Sequence, residues 1–267
     1  MAVFEKRILG ATGLTVGPLG LAASYGAPAE AFEEAFDKGC NYFYLGSGRH
    51  RAGMQQAVRN LCGQGQRDNL VVAIQSYARF GLLTEYFFKK NLRAMGLERA
   101  DILILGWHNR RPSPRLVERA LALKGKGLFR FLAMSGHNRR LFPEMAAAGP
   151  FDLFHIRYNA AHRGAEAETF PYLAGDDRPG IVSYTATRWG QLLNPKKMPA
   201  GEAVPEPSDC YRFVLSNPAV DVCLGGPRNI RQMREALATL DLGPLAAEDL
   251  ARMKRIGDYV HRNTRRF

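Results

Sequence analysis

Apolar residues fall into two alternating rhythms along this chain. Short runs rich in Val, Ile, Leu and Phe recur at Pro18–Ala22, Asn41–Leu45, Leu70–Ile74, Ile102–Leu105, Phe129–Met134, Leu153–Tyr158, Ile181–Thr185 and Val220–Leu224. Runs of this length, bounded by turn formers and charges, predict buried strands. Between them, apolar positions return at spacings of three and four, which predicts helices packed by one face. These cover Ala29–Lys38 (with Phe32, Ala35 and Phe36 aligned), Met54–Leu61, Glu85–Met95, Arg115–Leu123, Arg140–Ala147, Asp209–Leu215 and Asn229–Leu237. An amphipathic helix over Ala246–Arg262 ends the series. Ahead of the first strand, Lys6–Val16 holds two short apolar runs joined by a Gly-containing turn, a β-hairpin signal. The stretch Pro195–Pro207 carries Lys196, Lys197 and four prolines. That is too proline-rich for a helix, so a long loop over the barrel mouth is expected there.

Eight strands alternating with helices imply a parallel sheet with crossover connections. Such a sheet is either an open doubly wound layer or a closed (β/α)8 TIM barrel. The length of 267 residues and the strand count favour the α/β barrel, with the hairpin at its base. No internal repeat or low-complexity tract divides the chain, so residues 1–267 are expected to form one domain.

Composition narrows the partners without naming one. The formal charge is +12, from 37 basic and 25 acidic residues, which favours anionic ligands. The basic residues are dispersed rather than interleaved with aromatics in one patch, so no nucleic-acid partner is expected. No apolar run is long enough to span a bilayer and no signal-like segment opens the chain, so no membrane partner and a cytoplasmic location are expected. Cys40, Cys62, Cys210 and Cys223 lack metal-type spacing and read as free thiols. Oligomeric state is left open.

Several segments, in order, resemble the aldo-keto reductases. Arg7-Ile-Leu-Gly-Ala-Thr-Gly-Leu-Thr-Val16 resembles that family's basal hairpin, and Gly39-Cys-Asn-Tyr-Phe-Tyr44-Leu-Gly-Ser-Gly-Arg49 its G-x-N-F-F-D-T-A-x-x-Y segment. Asp101–Trp107 resembles D-L-Y-x-x-H-W, Gly125–Ser135 resembles G-K-I-R-x-x-G-V-S, and Tyr158-Asn159 matches the Y-N after the sixth strand. Ser183-Tyr184-Thr resembles A-Y-S, and Gly225–Glu235 resembles G-A-R-x-x-x-Q-L-x-E. The resemblance implies a barrel that uses NADP(H) to interconvert carbonyls and alcohols. It implies that Tyr184 packs on the nicotinamide, and that Gly226, Arg228, Gln232 and Glu235 hold the phosphorylated adenosine half. Ser135 and His155 fall at the nicotinamide end, His155 where the family has Gln. Gly225–Glu235 also stands on its own physics, because glycines before a helix start and an Arg fork suit a phosphate.

The catalytic tetrad of that family is absent. Its Asp, Tyr, Lys and His fall on Tyr44, Arg49, Gln75 and Gly106, and the Asn after Ser135 becomes Gly136. Three residues are candidates for rebuilt chemistry: Tyr44 as acid/base, Arg49 as oxyanion stabiliser, and His108 as an imidazole two positions beyond Gly106, on the same face if the strand continues. Five histidines (His50, His108, His137, His155, His162) lie at or beyond strand ends, the face that carries barrel active sites. A metal held by His108, His137 and His155 would need carboxylates that the mouth scarcely offers, so none is expected. The rim is rich in Arg, and Arg49 and Arg157 are expected to face inward, toward an anionic substrate. Three readings follow: an oxidoreductase with an atypical site, a redox-inactive nucleotide-binding sensor or regulatory protein, and a lyase or isomerase on the same barrel.

Overall fold

A computed structural model describes residues 4–46 and 48–264. Met1–Val3 and Ser47, inside the resemblance segment, lie outside the described residues, as do the last three positions.

Two-residue strands β1 (Arg7–Ile8) and β2 (Thr15–Val16) pair antiparallel around a turn that includes a 3-10 segment at Gly10–Thr12. Eight parallel strands follow: β3 (Leu19–Ala22), β4 (Tyr42–Leu45), β5 (Val71–Ser76), β6 (Ile102–Leu105), β7 (Phe131–Gly136), β8 (Leu153–Arg157), β9 (Gly180–Tyr184) and β10 (Val222–Gly225). Each pairs with its sequence neighbour, and β10 pairs with β3, so the sheet closes into a barrel. The helices are α1 (Ala29–Asp37), α2 (Ala52–Gly63), α3 (Gly81–Met95), α4 (Pro114–Gly125), α5 (Leu141–Ala148), α6 (Ala165–Glu168), α7 (Pro207–Leu215), α8 (Ile230–Leu242) and α9 (Ala247–Asn263). The short α6, between β8 and β9, has no counterpart among the predicted helices, since four residues carry too little periodicity to read.

Two cores follow from the period of two along each strand. Ile102 and Ile104 point into the barrel, while Leu103 and Leu105 meet the helices outside. The inner core is small and holds Tyr42, Val71, Ala73, Ala133, Leu153 and Val182 among others. Leu9 of the hairpin plugs it from below, fully buried. Ala11 N donates to Arg178 O at 2.9 Å, which ties the hairpin to the start of β9. Buried carboxylates pin the same end: Asp101 accepts from Val72 N and Arg67, and Asp221 from Ile181 N and Arg178. The basal end is thus cross-linked, and the opposite end is left to loops.

The proline-rich loop departs from expectation. It contains a short 3-10 turn at Pro195–Lys197, and its later part is held against α9, with Arg252 donating to Glu202 at 2.8 Å and to Ala203 O at 2.7 Å. Of the loop itself only Pro207 lines the cavity described next, so the loop does not form the expected cover of the mouth.

Candidate functional site

The inward positions of the last strand turns form a layer at the mouth. Tyr44 comes from β4, Gln75 from β5, Ser135 from β7, His155 from β8 and Tyr184 from β9, and all line one cavity of about 730 Å³. Period-two geometry places them there, each two residues beyond an apolar inward neighbour.

These groups are tied into a neutral chain. The Tyr44 hydroxyl donates to Gln75 Oε1, and Gln75 Nε2 donates to Ser135 Oγ at 3.1 Å. The Tyr184 hydroxyl donates to the Gly136 carbonyl at 2.8 Å, which fixes its ring. His155 Nε2 lies 2.8 Å from the Tyr42 hydroxyl, and its ring is 5.3 Å from that of Tyr44. Burial holds the His155 imidazole down at about 3, so it is neutral near pH 7. Burial also pushes the Tyr44 phenol well above its usual range, and the neighbouring Tyr77 hydroxyl adds to the rise. Tyr184 is pushed up for the same reason, with the Arg157 guanidinium acting in the opposite direction.

At two glycines the neighbouring atoms leave no room for a side chain. A Cβ at Gly106 would overlap the Gln75 amide, with Cδ and Cγ at 2.5 and 2.7 Å. Gln75 thus lies across the volume a side chain at 106 would need. A Cβ at Gly136 would collide with the backbone carbonyl of His108, whose carbon would be 3.0 Å away. No Asn fits there while the loop after β6 keeps its path.

The other expected catalytic residues are not brought to Tyr44. The β6–β7 pairing stops at Leu105, after which Trp107 lines the cavity and His108 does not. The His108 ring is buried with Nε2 2.7 Å from Arg79, in a separate recess with Arg110 and Arg111. Burial and then Arg79 hold its imidazole down at about 4. His108 N still donates to Ser135 O of β7 at 2.7 Å, but its side chain turns to Arg79 and away from the cavity, so the period-two expectation is not met. Arg49 is exposed on the turn after β4 and is not part of the cavity wall. Arg157 is half-buried at the end of β8, paired there with Tyr184, and its side chain makes no hydrogen bond or ion pair among the described residues. Its charge, after burial, helps hold His137 down at about 4.

All seven residues expected around a nucleotide share the cavity wall: Ser135, His155, Tyr184, Gly226, Arg228, Gln232 and Glu235. Asn229 caps α8 by accepting from Gln232 N at 2.9 Å, and Gln232 Oε1 accepts from Arg228 N at 3.0 Å. The Arg228 guanidinium is exposed and has no ion-pair partner among the described residues, while Glu235 pairs with Arg231 at 3.4 Å.

Sequence reasoning missed an aromatic lining: Tyr25, Tyr77, Trp107, Trp189 and Tyr211, with His137 beside them. The His137 ring stacks at 6.1 Å on Tyr184 and meets Trp107 at 5.1 Å. His137 was among the strand-end histidines expected at this face, and a signal existed for Tyr77 and Trp107, which stand one or two residues past an inward strand-end position. Trp189 had none. It lies in a turn where Thr185, Arg188 and Trp189 all adopt positive φ (63°, 51° and 52°). Such backbone is uncommon outside glycine and marks a shape imposed by its surroundings. Asn159 Nδ2 donates to Thr185 O at 2.8 Å, and Arg188 to Val260 O of α9 at 2.7 Å, which hold it.

Among the described residues, no three His, Cys, Asp or Glu side chains gather as a metal site. His155 and His137 are engaged by Tyr42 and by flanking rings instead. The four cysteines are unpaired, and Cys40, Cys210 and Cys223 are buried.

No protein-family model matches this sequence, and no curated protein sequence matches it significantly. The backbone, by contrast, has the aldo-keto reductase type of (β/α)8 barrel with an N-terminal hairpin. The chain is similar to the solved structures of aldo-keto reductase AKR11C1 from Bacillus halodurans. The holo form aligns with a TM-score of 0.78 at 18% identity, over 95% of this chain and 96% of that one. The apo form aligns with a TM-score of 0.76 at 19% identity over the same shares. Identity this low speaks to fold, so the chemistry rests on the residues above.

Proposed function

We propose that this chain is an aldo-keto reductase-like oxidoreductase that uses NADP(H) to act on a carbonyl or alcohol through an atypical site. The observation that carries the reading is one continuous wall, from Arg228, Gln232 and Glu235 at the start of α8 to the Tyr184 ring beside Tyr44. The donor set fits such a cofactor: an Arg fork without a carboxylate partner, polar groups on a capped helix start, and an aromatic face whose hydroxyl is already tied back. Gly226 also lines this wall, and a Cβ there would collide with the Tyr25 ring, so the glycine lets Tyr25 pack against the turn. When bound, the cofactor would supply or accept the hydride.

Tyr44 is the proton source in this reading. A phenol raised by burial is a weak acid, yet an alkoxide has a conjugate acid about as weak as water (~15.7) and takes its proton readily. Removing a proton from an alcohol is harder, because Tyr44 would first have to ionise against its burial and the neighbouring Tyr77 hydroxyl. The site therefore favours reduction over oxidation. Gln75 holds the hydroxyl in place, and Ser135 holds Gln75. Arg157, half-buried and without a carboxylate partner among the described residues, is not itself part of the cavity wall, but its charge acts on His137 and Tyr184, which are, and would favour an anionic group on the substrate.

The test is NADPH consumption with a panel of aldehydes and ketones, with and without a carboxylate. Tyr44→Phe is expected to lower kcat by about a hundredfold or more while NADPH affinity stays within about twofold. A Tyr44→Phe enzyme as fast as the parent sinks the assignment. A second reading, a redox-inactive nucleotide-binding sensor, is supported by the Tyr44 hydrogen being already engaged by Gln75. Tight NADPH binding with no turnover across the panel would select it.

A further inference from the structure

The outer face of α3 is apolar where a soluble barrel helix is ordinarily polar. Its inner face buries Thr84, Phe88, Asn91, Leu92 and Met95 against the barrel. Facing solvent are Leu82 (73% exposed), Leu83 (47%), Tyr86 (54%) and Phe87 (46%), with Phe80 (70%) just ahead of the helix. Spacings of one, four and five put the helical members on a single stripe. A contiguous exposed patch of this kind marks an interaction site.

Charge indicates what covers it. The stripe continues into exposed Lys90 and Arg93, and exposed Arg79 precedes it. The one acid of α3, Glu85, is taken up by Lys89 at 2.7 Å and by Arg119 and Lys126 from α4 and its end. The surroundings are therefore cationic, in a chain of net charge +12. A second copy would bring one basic rim against another. A helical peptide would need a groove, whereas Leu82 and Phe80 stand out at roughly 70% exposure.

We propose that this face docks on an anionic lipid surface, the apolar stripe entering the headgroup boundary and the basic residues pairing with the headgroups. No helix among the described residues is long and apolar enough to cross a membrane, so the attachment is peripheral. Tyr77 and Trp107 line the cavity mouth and stand exposed near this rim, and Arg79 donates to Trp107 O. Docking would bring the mouth to the lipid interface.

The experiment is co-sedimentation of the full chain with vesicles of phosphatidylcholine alone or with about 30% phosphatidylglycerol, at about 0.1 M salt. The protein is expected to pellet with the anionic vesicles and not with the neutral ones. Leu82→Ser with Phe87→Ser should weaken binding at least about tenfold, and Lys90→Gln with Arg93→Gln about tenfold or more. Circular dichroism should be unchanged in both, and the second pair keeps the test open should the first not fold. Equal pelleting with both vesicles, none with either, or variants that bind like the parent would overturn the proposal. So would a dimer at sedimentation equilibrium that the Leu82/Phe87 variant dissociates, or an acidic amphipathic peptide that binds the stripe while vesicles do not.

Discussion

At the start of α8 Arg228 is exposed and charged and Gln232 and Glu235 are half-buried, whereas in the strand-end layer the polar groups of Gln75, Ser135 and His155 are buried and neutral. Arg228 has no ion-pair partner among the described residues, while Tyr44, Gln75 and Ser135 are bonded to one another. A residue of the first kind can change with little effect on the fold. A residue of the second kind is fixed by what its neighbours occupy, as Gly106 is by Gln75 and Gly136 by the His108 carbonyl. The difference teaches that residues of the buried layer are not independent of one another. Once Gln75 lies across the barrel, position 106 must be small.

The largest effect is expected where backbone meets backbone. Gly136→Ala should cost about 3 kcal/mol in urea unfolding, since the His108 carbonyl cannot rotate away. A loss under about 1 kcal/mol would mean that the loop after β6 is free to move. At the opposite end of the cavity, Arg228→Ala should leave stability alone and weaken NADPH by about tenfold or more, with NADH nearly unaffected. Equal losses for both dinucleotides would remove Arg228 from the phosphate. Gly106→Ala should cost about 1–2 kcal/mol, and adding Gln75→Ala should return at least about 0.5 kcal/mol of it. Strict additivity would refute the steric link between the two positions.

The smallest effect is an expected constancy. His137 and His155 are held near 4 and 3, and burial raises the Tyr44 and Tyr184 phenols. None of these imidazoles gains a proton, and none of these phenols loses one, between about pH 6 and about pH 9. Turnover under saturating substrate should therefore vary by less than about twofold across that range. A rate that falls as pH rises through about 7 would indicate a protonated imidazole at work, contrary to the neutral layer.

The barrel was legible because period-two and helical spacings report burial directly, and all eight strands lie where the apolar runs stand. That Gly226, Arg228, Gln232 and Glu235 would stand together was legible because they follow one strand and open one helix, so sequence order becomes spatial order. His108 and Arg49 were misplaced because both lie past the last paired strand residue, where neighbouring loops set the path of the chain. Trp189 was hidden for a related reason. Its left-handed backbone is held by Asn159 and by α9, far away in sequence.

The account turns on a dinucleotide lying along the wall from Arg228 to Tyr184. Calorimetric titration of the purified full chain with NADPH and, separately, NADH tests it most directly. The expected result is saturable NADPH binding with a Kd below about 100 µM and weaker binding of NADH. No heat and no saturation with NADPH up to about 1 mM would contradict it.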